Sequence, residues 1–406
     1  MLDILGLGNA AVAKLADVAE LNPRLKAKLS PDETVAFVPM AALSSERASV
    51  VAEEARPYRE VAKGYTPFQD GDVLVAKITP CFENSKIGQA NLSRPIGFGS
   101  TEFHVIRPYV DRADSRYLMH YLRQGHVLAE GERKMTGSAG QRRVPEHFIA
   151  DLTVLLPAVS EQRRIAAVLD QADALRAKRR AALARLDELT RAIFVETFGD
   201  LRANSMNWPT VPVGEYVSKF QGGKSIEADG DNRSAKHRVL KVSAVTSMVF
   251  QPTESKPLSE NYTPLPEHFL QNGDLLFSRA NTTELVGAVA YVPNAPSNLL
   301  LPDKLWRFVW RSPVSADPLF IWALFQTPMI REEIGRRATG TSGSMKNISQ
   351  EKLLAMPTIL PPLSVQQAFA RRFRKLEEIK AQQLLFAVEM DHLFASLQHR
   401  AFRGEL

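Results

Sequence analysis

At 406 residues, with 45% hydrophobic and 24% charged residues, the chain has the make-up of an ordinary soluble globular protein with ample core for two domains. No apolar run is long enough to cross a bilayer and no signal peptide opens the chain, so no membrane association is expected. The single cysteine, Cys81, excludes an internal disulfide and suits a reducing, cytoplasmic location. A net charge of +6 permits a polyanionic partner without demanding one, because it is spread thinly. Residues 1–156 carry 19 basic and 19 acidic groups, and residues 201–361 carry 17 and 14, so any positive field must be made locally by folding.

Residues 1–156 read as a mixed α/β domain. Val12 to Leu21 is an opening segment and Val35 to Pro39 a short strand. Gly71-Asp-Val-Leu-Val-Ala-Lys77 is a turn feeding a strand, followed by an irregular loop to Lys86. His104 to Arg107 is a further strand, Tyr117 to Glu130 a helix, Thr136 to Val144 a Gly/Ser loop ending in two arginines, and Leu152 to Leu156 a strand.

Residues 157–200 follow as one long helix. Neither Gly nor Pro occurs between Val159 and Phe198, and Ala, Leu, Arg and Glu dominate. Ser160-Glu-Gln162 suits its start and Gly199 its stop. A heptad frame places Ile165, Ala172, Arg179, Leu186 and Ile193 on one row of a seam, with Val168, Leu175, Ala182, Leu189 and Glu196 on the other. Such a helix, about 60 Å long, needs a partner along its length.

Residues 208–361 repeat the order of the first domain, and residues 362–406 repeat the helix. Gly273 to Arg279 matches Gly71 to Lys77, Pro318 to Ile334 matches the helix, Thr339 to Lys346 matches the Gly/Ser loop, and Met356 to Leu360 matches the closing strand. Adding 204 to the seam numbers gives Phe369, Leu376, Gln383, Met390 and Leu397 on one row and Arg372, Ile379, Phe386, Leu393 and Arg400 on the other. Both copies share a polar residue midway, Arg179 and Gln383, and shared imperfections argue for duplication better than shared leucines do. A polar residue at that position also fixes register.

Motifs for catalysis fail on inspection. Gly222-Gly-Lys-Ser225 lacks the leading glycine of a phosphate-binding loop, because position 218 is Ser. Gly6-Leu-Gly8 follows no strand, the eight histidines never pair at metal-ligand spacing, and there is neither a nucleophile elbow nor an Asn-Pro-Pro-aromatic stretch. Glu53–Glu54 and Glu332–Glu333 read as solvated faces. The chain is expected to catalyse nothing alone and to hold no metal or cofactor.

What remains is a pair of matching polar loops. They bring Gln141, Arg142 and Arg143 in one half, and Ser344, Lys346 and Asn347 in the other, beside the ends of matching strands at Lys77 and Arg279, with Thr79 and Asn281 two residues further on. Loop amides and basic side chains suit phosphate contact, while Gln, Asn and Arg suit base edges. These ten residues are the candidate DNA contacts. An interaction scaffold, a coiled-coil spacer presenting two protein-binding domains, is the alternative reading.

Leu156-Pro-Ala-Val-Ser-Glu-Gln-Arg-Arg-Ile165, Phe198-Gly-Asp200 with Asn207-Trp-Pro209, Leu360-Pro-Pro-Leu363, the two Gly-Asp turns and the two Gly loops together resemble the specificity subunits of type I restriction–modification systems. The resemblance implies an α/β (α+β) fold of two pseudo-repeated target-recognition domains, held apart by two long helices packed as an antiparallel coiled coil. Each domain would read one half of a split double-stranded DNA site. The helices would seat two methyltransferase subunits, with restriction subunits joining, and S-adenosylmethionine, ATP and magnesium would belong to those partners. Ala158 and Val365-Gln-Gln367 depart from the family's pattern and put the helix start or partner contact in question.

Overall fold

The computed structural model describes residues 11–138, 140–225, 235–259, 261–311, 313–342 and 345–406. The chain divides into two compact units, each closed by pieces of both long helices: Met1–Ala184 with Ala381–Leu406, and Arg185–Lys380.

In the N-terminal unit a six-stranded sheet runs in the order Ala19–Leu21, Phe103–Pro108, Val73–Ala76, Ile87–Gln89, Ser49–Val50, Leu43–Ser44. A four-stranded sheet (Glu54–Pro57, Thr34–Val38, Ile96–Gly99, Thr66–Gln69) and a two-stranded pairing of Ala11–Lys14 with Thr153–Leu156 complete it. Val73–Ala76 is buried at every residue, as its unbroken apolar run requires of a strand covered on both faces. The C-terminal unit places Leu275–Ser278 between Leu305–Trp310 and Val289–Tyr291, in the pairing that Val73–Ala76 makes with Phe103–Pro108 and Ile87–Gln89.

The two Gly-Asp turns show why the motif recurs. Gly71 and Gly273 adopt φ of 87° and 86°, a left-handed geometry that glycine reaches without steric cost. The following aspartates accept the backbone N–H groups of Gln69 and Gln271, then pair with an arginine on the neighbouring strand, Asp72 with Arg107 and Asp274 with Arg307. Burial pushes the Asp274 carboxyl up, against the hydrogen bond from Gln271 and the Arg307 charge.

Each helix expected after the central strands is two helices. Ser115–Leu122 and Gly125–Lys134 stand where Tyr117 to Glu130 reads as one, and Pro318–Gln326 and Pro328–Arg337 where Pro318 to Ile334 does. Thr327 precedes a proline and is extended, which ends the helix there.

The long helices span Val159–Phe198 and Leu363–Ala401. In the N-terminal unit Ile165, Ala166 and Leu169 pack with Leu397 and Ala401, Arg176 reaches Asp391 at 2.6 Å, and Arg179 meets Gln383. In the C-terminal unit Ile193, Phe194 and Phe198 pack with Phe369, Phe373 and Leu376, and Glu196 accepts from Arg372 at 2.8 Å. Within each unit the helix segments therefore run antiparallel.

The heptad frame needs correction on its second row. Leu175, Leu189, Ile379, Phe386 and Leu393 are exposed rather than buried. The inner row instead lies four residues after the first one, at Leu169 and Phe373, whose neighbours Ile165 and Phe369 are also buried. Leu186 and Met390 are half-buried, while Ile165, Ile193 and Leu376 are buried. A three-then-four spacing is satisfied by either row, so periodicity alone cannot choose the rotation of the helix.

Gln162 and Gln366, both fully buried, choose it. The Gln162 amide oxygen accepts the backbone N–H of Asp114 at 2.9 Å, and its nitrogen donates to the carbonyls of Arg112 and Pro157. Gln366 does the same with Asp317, Ser315 and Pro361. Asp114 and Asp317 in turn cap the helices that begin at Ser115 and Pro318. The departure at Val365-Gln-Gln367 thus leaves the helix start intact.

Buried histidines give the N-terminal unit a pH dependence. His120, 1% exposed, lies 2.7 Å from Asp170, which also accepts from Arg116. Burial pushes the His120 imidazole below its ordinary value of 6.5, against the pull of Asp170, and burial lowers His104 likewise. Above pH 6.5 both states are neutral. Below it the unfolded chain takes up protons first, so stability falls as pH drops through that value towards the folded pKa. The protection factors of the 115–122 amides, that is exchange corrected for its intrinsic pH dependence, should fall between pH 7.5 and roughly 5.5, and His120→Gln should flatten the trend. An unchanged profile in the variant would remove His120 as a cause.

Candidate nucleic-acid interface

The structure builds the same cradle twice from segments distant in sequence. In the N-terminal unit Lys77 ends its strand with its N–H donating to Glu102 and its carbonyl accepting from Val144. The loop from Thr136 folds back over that end, with Thr79 N–H donating to the Arg142 carbonyl and Arg143 bridging both Thr136 and Ile78. In the C-terminal unit Arg279 N–H donates to Lys304, its carbonyl accepts from Ile348, and Ala280–Asn281 pairs with Met345–Asn347. The loops and strand ends matched by sequence are therefore neighbours in space in both units.

Their side chains differ in freedom. Gln141 is exposed, and Arg142 is only loosely held, its guanidinium 3.8 Å from both Glu83 and Glu132. Arg143 is committed, with Nη2 and Nε donating to the Glu102 carboxylate at 2.7 and 2.9 Å. That hydrogen bond is the main cause holding Glu102 below the usual carboxylate range. Thr79 donates to Glu83 at 2.7 Å. In the other unit Arg279 donates to the Asp303 carbonyl at 2.8 Å and to Asn347 Oδ1 at 3.4 Å, and lies over the Trp306 ring. Lys346 donates to the Gly340 carbonyl, and Asn281 caps the backbone of Thr282. Ser344 lies outside the described residues.

Glu102 and Asp303 are the part that sequence reasoning missed. Glu102 is 41 residues from its arginine and Asp303 lies 24 residues from its own, so no local pattern signals either pairing. Their consequence is electrostatic: Arg143 and Arg279 shape the loops, leaving Lys77, Arg142 and Lys346 as the freer cations. Among the described residues no group of three or more His, Cys, Asp or Glu is placed to hold a metal ion, and no helix is long and apolar enough to cross a membrane.

Residues 9–185 match the family of type I restriction modification DNA specificity domains. The chain is 26% identical to the type I restriction enzyme EcoEI specificity subunit of Escherichia coli over 447 residues, covering 87% of this chain and 75% of the relative. It is 42% identical to the EcoAI specificity subunit of Escherichia coli over 153 residues, 37% of this chain but 26% of that one. Among solved structures, a chain from a study of complex assembly and conformational transition in the type I R-M system shares the fold, with a TM-score of 0.60 at 17% identity, over 98% of both chains. Residues 9–185 are thus similar to type I restriction modification DNA specificity domains, and the fold of the chain is that of a solved type I R-M chain.

Proposed function

We propose that the chain is the DNA sequence-recognition subunit of a type I restriction–modification complex, each unit reading one half of a bipartite double-stranded target. The observation that carries this reading is the cradle built twice, a strand end at Lys77 or Arg279 overlaid by a polar, basic loop, with residues 9–185 similar to DNA specificity domains. A repeated scaffold with divergent loop side chains suits two surfaces that read different bases. The chain acts in the cytoplasm and does no chemistry itself. Methyltransferase and restriction subunits supply it, with S-adenosylmethionine, ATP and magnesium bound there. The exposed apolar side chains on the long helices, among them Leu175 and Leu393 in one unit and Leu189 and Ile379 in the other, suit the seats for the methyltransferase subunits.

Purified alone, the chain should neither methylate nor cut DNA. Added to methyltransferase subunits, it should confine methylation to one split sequence. Cofactor-dependent methylation by the isolated chain would sink the reading, and so would partner methylation whose sites do not change when the chain is exchanged for a relative.

Within the cradles, Arg142→Ala and Lys346→Ala should each weaken binding to all duplexes and lower the salt slope by roughly one unit, as loss of one phosphate contact does. Gln141→Ala and Asn347→Ala should instead relax specificity in one half-site only, by about 1–3 kcal/mol. Identical affinity and salt dependence for all four variants would take these loops out of the interface.

A further inference from the structure

Beside the C-terminal cradle lies a pocket of about 230 Å³ walled by Lys224, Lys241, Lys256 and Lys304, with Ser225 and the single carboxylate Asp303. Lys224, Lys256 and Lys304 are exposed and make no side-chain hydrogen bond or ion pair with the described residues, and Lys241 has only Glu254 at 3.8 Å. Four like charges gathered around one concavity repel each other, so the site is suited to an anion that offsets them.

The sequence around Lys224 is shaped to put it there. Gly223 approaches Leu301 so closely that a Cβ would stand 1.7 Å from its carbonyl oxygen, and the Lys224 backbone then pairs in parallel with Pro302, which also lines the pocket. Gly222-Gly-Lys-Ser225 is thus no nucleotide-binding loop, but its glycine has a steric reason and its lysine a destination.

The pocket also shares a wall with the cradle. Arg279 donates to the Asp303 carbonyl and its N–H to the Lys304 carbonyl, while its guanidinium meets Asn347. Pocket and cradle are therefore adjacent, joined through Asp303 and Lys304.

We infer that this four-lysine pocket holds backbone phosphates of the bound duplex, next to the bases met by the C-terminal cradle. The inference rests on the DNA reading of that unit. Size favours backbone over a free nucleotide: small-molecule sites usually occupy about 300–1,000 Å³, and no aromatic residue among the described ones lines this pocket to stack a base. Lysine, a mobile point charge without a fixed fork, suits contact that is blind to sequence.

The test uses the full chain, alone and with methyltransferase partners added, against fluorescent target and scrambled duplexes over a salt series. K224Q/K256Q/K304Q should lower the slope of log affinity against log salt by roughly two to three units, weakening both duplexes by the same factor. The arginine triple, K224R/K256R/K304R, should keep the wild-type slope, and equal melting temperatures for all three proteins establish that they fold alike. A glutamine triple with the wild-type slope overturns the inference while leaving the DNA reading standing. Micromolar ATP binding that the glutamine triple abolishes, with the DNA slope unmoved, assigns the pocket to free nucleotide and also overturns it. A wild-type chain that binds no duplex under either condition sinks the DNA reading and the pocket's occupant together.

Discussion

Phe198→Ala should destabilise the C-terminal unit by about 3–5 kcal/mol, the usual cost of emptying a buried aromatic site. Phe198 ends the central helix fully buried, with its ring 4.9 Å from Phe194, 4.7 Å from Phe320 and 5.3 Å from Phe369. It thereby joins helix segments of both repeats to the domain's own helix at Pro318–Gln326. Against a typical domain stability of about 5–15 kcal/mol the loss is large. Trp208, Trp306, Trp310 and Trp322, the only four tryptophans, all belong to this unit, so their fluorescence follows its unfolding in urea. The midpoint should fall by about 1–2 M. The matched control is Leu189→Ser. The original heptad frame makes Leu189 a core residue worth about 2–5 kcal/mol, whereas at 45% exposure it should change stability by less than about 0.5 kcal/mol. A large effect at Leu189 with a small one at Phe198 would reverse the rotation assigned to the helix.

Gln366→Ala should cost about 2–5 kcal/mol, because it strands the Asp317 N–H and the carbonyls of Ser315 and Pro361 in a buried site. Gln366→Glu should be no better. A carboxylate still accepts from Asp317, but it sets an acceptor and a negative charge against two carbonyl oxygens that had a donor. Gln162→Ala and Gln162→Glu should act in the same way on the N-terminal unit, through Asp114, Arg112 and Pro157. Urea unfolding followed separately for the two units, by tryptophan emission for one and hydrogen exchange for the other, measures each. Wild-type stability in either glutamate variant would show that the amide nitrogen donates nothing there.

Much of the architecture was legible in the order of residues alone. The absence of Gly and Pro from Val159 to Phe198 dictates a helix because backbone propensity is a local property, and the observed helix has those bounds. The Gly-Asp turns are local too, since a left-handed φ selects glycine wherever it occurs. Duplication was legible because two copies err in the same places, as Arg179 and Gln383 do. Tertiary structure decided three things that no window of sequence contains. It set the rotation of the long helices, because Ile165 fits a seam with either Val168 or Leu169 and only the glutamine staples at their starts select the second. It set which cations are free, because Arg143 and Arg279 find Glu102 and Asp303 across the fold while Arg142 is only loosely paired. And it gathered Lys224, Lys241, Lys256 and Lys304, spread over 80 residues, around one pocket. Propensity and turn chemistry act between near neighbours, whereas electrostatics and burial depend on distance through space, which the sequence states only after it has folded.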